Sequence, residues 1–136
     1  LNVTCSAAIA AEQVTLSFTP HLVPMNRGIL VTAYAGAKAA TELPAAAKLI
    51  ELYRDYYAGR PFVRVLDEGK QPNTKNVFGT NFCDIGLVAD QRTRRVIVTS
   101  AIDNMGKGAA GQAVQNLNLM SDLEEDTGLM MPAVFP

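Results

Sequence analysis

The sequence is poor in the residues that most often mark a specialised site. It has no tryptophan, one histidine and two cysteines among 136 residues, and its formal net charge is -1. Two cysteines are too few for a disulfide framework and lack the spacing of metal ligands, so we expect no metal site and a reducing, cytoplasmic setting. The near-neutral charge provides no basic surface, which argues against nucleic acid as a partner.

Long hydrophobic runs are also missing. No apolar run approaches the roughly 18 residues that a membrane span needs, because Arg27, Lys38 and Glu42 interrupt the most apolar region. We therefore expect no membrane association. What is present, 49% hydrophobic and 18% charged residues, is the composition of an ordinary globular protein. At this length, residues 1–136 are expected to form one domain with a core of its own.

Apolar residues recur with the period of strands along much of the chain. Strand patterns, either alternating or continuously apolar, cover residues 14–18, 29–35, 62–66, 76–78, 82–89 and 95–102. Residues 90–94 predict a hairpin loop between the last two strands, with Arg94 and Arg95 where a glycine is usual. The alanine-rich residues 1–12 fit either a short helix or an ordered lead-in.

Two helices are predicted among these strands. The first begins near Pro44, ends before Gly59, and has a stripe that we expect to pack on the sheet: Leu49, Ile50, Tyr53, Tyr56 and Tyr57. The second follows Gly108 and carries an apolar face made of Ala110, Ala113, Val114, Leu117 and Met120. Runs of strands with two separated helices predict an α+β fold, a mainly antiparallel or mixed sheet with helices packed on one face. Because residues 29–35 and 82–102 are apolar on both sides, a second domain or subunit is expected to cover the other face.

The single histidine lies in a loop framed by prolines. His21 stands between Pro20 and Pro24, at the end of a predicted strand, and Arg27 and Gly28 follow closely. Histidine is the one side chain whose unperturbed pKa lies near neutrality, so a copy in a stiffened loop is a candidate for proton transfer. A packed, hydrogen-bonded structural histidine is the alternative.

A glycine-rich segment is the second candidate site. In residues 106–112 (GKGAAGQ), small residues at a helix start would let a ligand approach exposed backbone N–H groups. The segment lacks the spacing of a P-loop, and close packing on the sheet is the alternative. The polar residues at nearby strand ends are interpreted as surface turns and caps: Asn81, Asp84, Asp103 and Asn104.

Three longer blocks carry a family resemblance. Residues 18–30 (FTPHLVPMNRGIL), 72–86 (PNTKNVFGTNFCDIG) and 98–120 (VTSAIDNMGKGAAGQAVQNLNLM) resemble, in this order, the N-acetyl-gamma-glutamyl-phosphate reductases of arginine biosynthesis. The resemblance implies a reductase that converts N-acetylglutamyl 5-phosphate to the semialdehyde with NADPH. It also implies an α+β domain like the C-terminal domain of glyceraldehyde-phosphate and semialdehyde dehydrogenases, one that binds substrate and forms a dimer or tetramer.

The resemblance assigns roles to particular residues. His21 matches the family's acid/base, which serves a cysteine thiolate that attacks the acyl phosphate. Arg27 is expected to bind the carboxylate or phosphate of the substrate. Lys107, Gly108 and Gln112 are expected to lie against the nicotinamide half of the cofactor.

The nucleophile is where the sequence departs from the family. Neither Cys5 nor Cys83 stands in the expected Asn-Pro-Gly context, and Cys83 is expected to be a small core residue. The G-x-G-x-x-G signature expected after the first strand is missing as well. We therefore expect the Rossmann domain, which holds most of the NADPH and the cysteine, to be outside this chain, and the chain alone to be inactive. The same domain of another semialdehyde dehydrogenase, or a non-catalytic oligomerisation or ligand-binding module, are the alternatives.

Overall fold

The computed structural model describes residues 2–5, 14–38 and 41–134, with residues 2–5 and 14 described as backbone alone. The strands are β1 (Asn2–Cys5), β2 (Val14–Ser17), β3 (Ile29–Gly36), β4 (Val63–Val65), β5 (Cys83–Asp90) and β6 (Arg95–Ile102). The helices are α1 (Ala46–Tyr56) and α2 (Gly111–Met120), with a short 3-10 helix at Thr74–Val77 and one wide helical turn at Gly106–Ala110. The predicted α+β fold is confirmed. None of the described helices is long and apolar enough to cross a membrane.

The main sheet has four strands in the order β3-β6-β5-β4. Strands β3, β6 and β5 pair antiparallel, whereas β4 runs parallel to β5, so the sheet is mixed. The predicted hairpin between β5 and β6 is confirmed. Strands β1 and β2 form a separate antiparallel pair, so the helix considered for the first residues is wrong for Asn2–Cys5. The rest of that prediction lies outside the described residues.

The core forms where α1 packs on one face of the sheet. Leu49 and Ile50 of α1 meet Ile85 and Leu87 of β5, all on one side because side chains alternate along a strand. Tyr53 and Tyr57 pack against this cluster as predicted. Tyr56 does not, because 63% of its surface is exposed.

A strand predicted at residues 76–78 is wrong. The side chain of Asn73 accepts a hydrogen bond from the Lys75 N–H at 2.9 Å, which starts the 3-10 helix at Thr74–Val77 instead. Asparagine competes in this way with sheet pairing, since its short side chain reaches the backbone two residues ahead.

Helix α2 is present as predicted, but its apolar face is not packed on the rest of the described chain. Its buried side chains are polar, Gln115 and Asn118, and the Asn118 amide donates to the carbonyl of Thr127 at 3.0 Å. Leu117 and Met120 are 60% and 84% exposed. An apolar helix face turned outward indicates a surface that another structure covers.

The sheet face opposite α1 is also open. The strand register places Tyr34, Ile97 and Val88 side by side in one row on this face. Tyr34 is 65% exposed. The sheet therefore has the uncovered apolar face that the sequence predicts.

The hairpin loop holds Arg94 in the left-handed region, with φ of 53°. A left-handed conformation costs a residue with a side chain about 1 kcal/mol relative to glycine. The Arg94 guanidinium donates to the Thr41 carbonyl at 2.8 Å. Arg94→Gly and Arg94→Ala both lose this bond, so we expect the glycine variant to be the more stable by about 1 kcal/mol. Thermal or urea unfolding of the two variants measures the difference, and equal stabilities would contradict the left-handed geometry.

Gly28, just before β3, has φ of +110°, and a Cβ there would lie 2.8 Å from Cβ of Thr74. Gly28→Ala should therefore destabilise the protein by about 2 kcal/mol through backbone strain and overpacking. Gly36, at the other end of β3, has nothing within 4 Å of that position, so Gly36→Ala is the matched control and should be near neutral. The midpoints of thermal or urea unfolding measure both effects. An equal loss of stability at both positions would contradict the close approach of Gly28 to Thr74.

Candidate functional site

The histidine loop runs from Phe18 to Gly28 between β2 and β3, and the structure places His21 on the surface. Nδ1 of His21 lies 3.2 Å from the carbonyl oxygen of Thr19. In the tautomer with a proton on Nδ1, that N–H donates to the carbonyl and Nε2 is left as an exposed acceptor. A ring held in this way is suited to exchange a proton with a neighbouring group.

The other end of the loop is fixed to the turn after β6. The Gly28 N–H donates to Oδ1 of Asn104 at 2.7 Å. Nε of Arg27 lies 2.7 Å from Oδ2 of Asp103, and the guanidinium carbon is 4.9 Å from the centre of the Phe78 ring. The loop therefore has an exposed middle, which carries His21, and a well-anchored end.

The carboxylate that anchors the loop is fully buried. Asp103 accepts hydrogen bonds from the N–H groups of Gly79 at 2.8 Å, Met105 at 2.9 Å and Gly106 at 2.6 Å. Burial by itself would raise the pKa of Asp103, but these bonds and Arg27 favour the charged form and hold the pKa below its usual value. Asp103 is thus an anion at the junction of three segments.

The glycine-rich segment begins at this junction. Hydrogen bonds from Gly108 N–H to the Asp103 carbonyl and from Ala110 N–H to the Met105 carbonyl, both 2.9 Å, close the wide turn at Gly106–Ala110. A Cβ on Gly106 would clash with the Thr80 carbonyl. Close packing, one of the two interpretations of this segment, therefore applies to Gly106.

The three predicted cofactor residues face different surroundings. Nζ of Lys107 donates to Oε1 of Gln115 at 2.6 Å and lies 5.6 Å from the centre of the Phe62 ring. Burial lowers the pKa of Lys107. Gly108 is exposed, and the half-buried Gln112 donates to Asn116 at 3.0 Å. The backbone of Gly108 and the Gln112 amide lie at the surface, whereas the Lys107 ammonium points into the fold.

The cysteine of β5 is half-buried. Cys83 packs against the core under α1, and burial raises the pKa of its thiol. A thiol with a raised pKa is a poor nucleophile. Within the described part of the chain, no group of three or more His, Cys, Asp or Glu side chains could hold a metal ion.

The interpretation of the strand-end residues as surface groups is wrong for three of them. Asn81, Asp84 and Asp103 are buried. Asp103 does cap backbone N–H groups, as its sequence context suggests, but it does so inside the protein. The local sequence does not predict the burial of these carboxylates. The residues that pair with them, Arg27 for Asp103 and Arg64 for Asp84, come from distant segments.

Comparison with known proteins agrees with this architecture. The family model of the semialdehyde dehydrogenase dimerisation domain matches residues 3–104. N-acetyl-gamma-glutamyl-phosphate reductase of Acetivibrio thermocellus is 56% identical over 127 residues, which are 93% of this chain and 36% of that protein. The enzymes of that name from Desulforudis audaxviator and Symbiobacterium thermophilum are each 57% identical, over 94% and 90% of this chain and 36% and 34% of their own lengths.

The chain thus spans about a third of the length of the curated relatives it matches. The family model covers most of the chain, including the histidine loop and the turn at Asp103 and Asn104. The chain therefore belongs to the semialdehyde dehydrogenase dimerisation-domain family.

Proposed function

We propose that this chain is the substrate-binding, catalytic and oligomerisation domain of a cytoplasmic, NADPH-dependent N-acetyl-gamma-glutamyl-phosphate reductase. The reaction would convert N-acetylglutamyl 5-phosphate to N-acetylglutamate 5-semialdehyde and phosphate in arginine biosynthesis. The relatives' names support this reaction. The single structural observation behind it is an exposed histidine on a loop that Arg27 and Gly28 tie to the turn at Asp103 and Asn104, just before the glycine-rich segment.

His21 is the proposed acid/base. Its Nε2 would take the proton of a cysteine thiol supplied by the rest of the protein, since a thiolate and not a thiol attacks an acyl phosphate. The resulting imidazolium would stabilise the thiolate and later return a proton to the substrate oxygen. The Thr19 carbonyl, 3.2 Å from Nδ1, would stabilise this imidazolium and fix the orientation of the ring.

Arg27 is the proposed anion-binding residue for the substrate. Its ion pair with Asp103 is made through Nε, and the terminal amino groups would receive the substrate. The terminal groups of a guanidinium form bidentate hydrogen bonds with a carboxylate or a phosphate. The side chain is 30% exposed, which leaves room for a ligand at that end.

The residues of this chain fit one end of a nicotinamide cofactor. Gly108, Ala109 and Ala110 are exposed and small, and the Gln112 amide lies next to them at the start of α2. When bound, NADPH supplies the hydride. Gly108 and Gln112 would contact its nicotinamide end, and Lys107 would hold the segment in place through Gln115. The rest of the cofactor would be bound by a Rossmann domain outside this chain.

Two uncovered surfaces suggest where partners bind. The sheet row of Tyr34, Ile97 and Val88 is proposed to contact a second copy, giving a dimer or tetramer. The outward face of α2, with Leu117 and Met120, is proposed to contact the Rossmann domain. Both assignments rest on apolar side chains that this chain leaves exposed.

The histidine assignment predicts the effect of His21→Ala in the complete protein. The turnover number should fall by roughly a hundredfold or more, which is the usual contribution of a positioned acid/base to the rate. The melting temperature should stay the same, because His21 is exposed and its hydrogen bond to Thr19 lies within its own loop. Steady-state kinetics with N-acetylglutamyl phosphate and NADPH measure the first quantity. An unchanged rate would favour a non-catalytic module instead.

The oligomer assignment predicts that Tyr34→Glu breaks the association of subunits, because a charge would be buried in an apolar contact. Tyr56→Glu is the matched control: Tyr56 is equally exposed, 63% against 65% for Tyr34, but lies on α1. Sedimentation of the complete protein should show a smaller species for the Tyr34 variant alone. A smaller species for both variants, or for neither, would refute the assignment of this face.

A further inference from the structure

We propose that Asp103 is a positioning residue for substrate binding: its buried carboxylate holds Arg27 in the orientation that receives the substrate's anionic group. The inference rests on the proposed function and adds to it a residue that does not touch substrate. Its proposed role is to order the flexible Arg27 side chain before the substrate binds.

The position of Asp103 does not depend on Arg27. One oxygen, Oδ1, accepts the N–H groups of Met105 and Gly106, and the other, Oδ2, accepts that of Gly79. These three backbone donors fix the carboxylate even without an arginine. Arg27, on a loop with an exposed middle, is therefore the partner that is held, and Asp103 is the partner that holds it.

Two contacts orient the guanidinium plane. Oδ2 of Asp103 lies 2.7 Å from Nε, an ion-pair contact in which the N–H is not aligned for a hydrogen bond, and the Phe78 ring lies 4.9 Å from the central carbon. An arginine side chain has many rotamers, and ordering them opposes binding. Because the ion pair orders Arg27 in the free protein, the substrate would meet a side chain that is already placed.

A second arginine that pairs with a buried carboxylate shows what a purely structural arrangement looks like. Nε of Arg64 lies 2.6 Å from Oδ1 of the buried Asp84, and its guanidinium carbon is 4.3 Å from the Phe82 ring centre. Here, however, the terminal Nη2 donates to the Asn76 carbonyl at 3.2 Å. Arg64 thus uses its terminal end on the backbone of its own chain, whereas no described residue accepts a hydrogen bond from the terminal amino groups of Arg27.

The same turn also anchors the loop that carries His21. Asn104, next to Asp103, accepts the Gly28 N–H at 2.7 Å. Loss of the Asp103 charge would leave this second anchor in place. The effect is therefore expected on Arg27 and substrate binding more than on His21 and the chemical step.

The test compares Asp103→Asn with Asp84→Asn in the complete protein. Asp103→Asn should raise KM for N-acetylglutamyl phosphate by about tenfold, as expected for loss of a charge-assisted interaction. The turnover number and KM for NADPH should change by less than about threefold. Asp84→Asn should lower the melting temperature but leave both KM values unchanged, because Arg64 has no proposed substrate contact.

A double-mutant cycle separates positioning from general damage. If Asp103 acts through Arg27, Arg27→Ala with Asp103→Asn should raise KM no further than Arg27→Ala alone. Additive effects, an unchanged KM in folded Asp103→Asn, or an equal KM rise in Asp84→Asn would each overturn the proposal.

Two further measurements are needed to interpret the result. If Asp103→Asn does not fold, Asp103→Glu takes its place, since it keeps the charge and displaces the carboxylate. It should raise KM in the same way, and a wild-type KM would count against the proposal. The unsubstituted protein is assayed first: if it does not reduce N-acetylglutamyl phosphate, the proposed function fails before any Asp103 variant is measured.

Discussion

A carboxylate with no exposed surface, that of Asp103, joins segments of the chain that are far apart in sequence. It accepts backbone N–H groups from the loop at Gly79 and from the turn at Met105 and Gly106, and it pairs with Arg27 of the histidine loop. Burying an ionised carboxylate is costly unless its oxygens are well supplied with donors. The need to satisfy this one charge therefore brings the histidine loop and the glycine-rich segment together.

The surfaces that remain unsatisfied are apolar rather than polar. Helix α2 has polar side chains inside, Gln115 and Asn118, and leaves Leu117 and Met120 in solvent. This reverses the usual arrangement of a surface helix. Together with the open row of Tyr34, Ile97 and Val88, it leaves the described chain with two uncovered apolar surfaces. The chain spans about a third of the length of its relatives, which supports the proposal that a further domain and a second copy cover these surfaces.

Local pattern predicted most elements of the fold but not which sides of them are buried. The hairpin of β5 and β6 and the helix of Leu49 and Ile50 follow from periodicity and are present. Tyr56 and Leu117 sit at helical spacing in apolar stripes, yet both are exposed. Periodicity reports that a stripe can be buried. It does not report whether the covering structure belongs to the same stretch of chain.

The sequence by itself determined the α+β class, the histidine loop with Arg27, and the glycine-rich segment, because these depend on residue type and local spacing. Only the tertiary structure decided that Asp103 is buried and paired with Arg27, and that the Lys107 ammonium points inward to Gln115. The reason is physical. The charge on Asp103 is stabilised by donors from segments about 25 and 75 residues away, and no local pattern contains them.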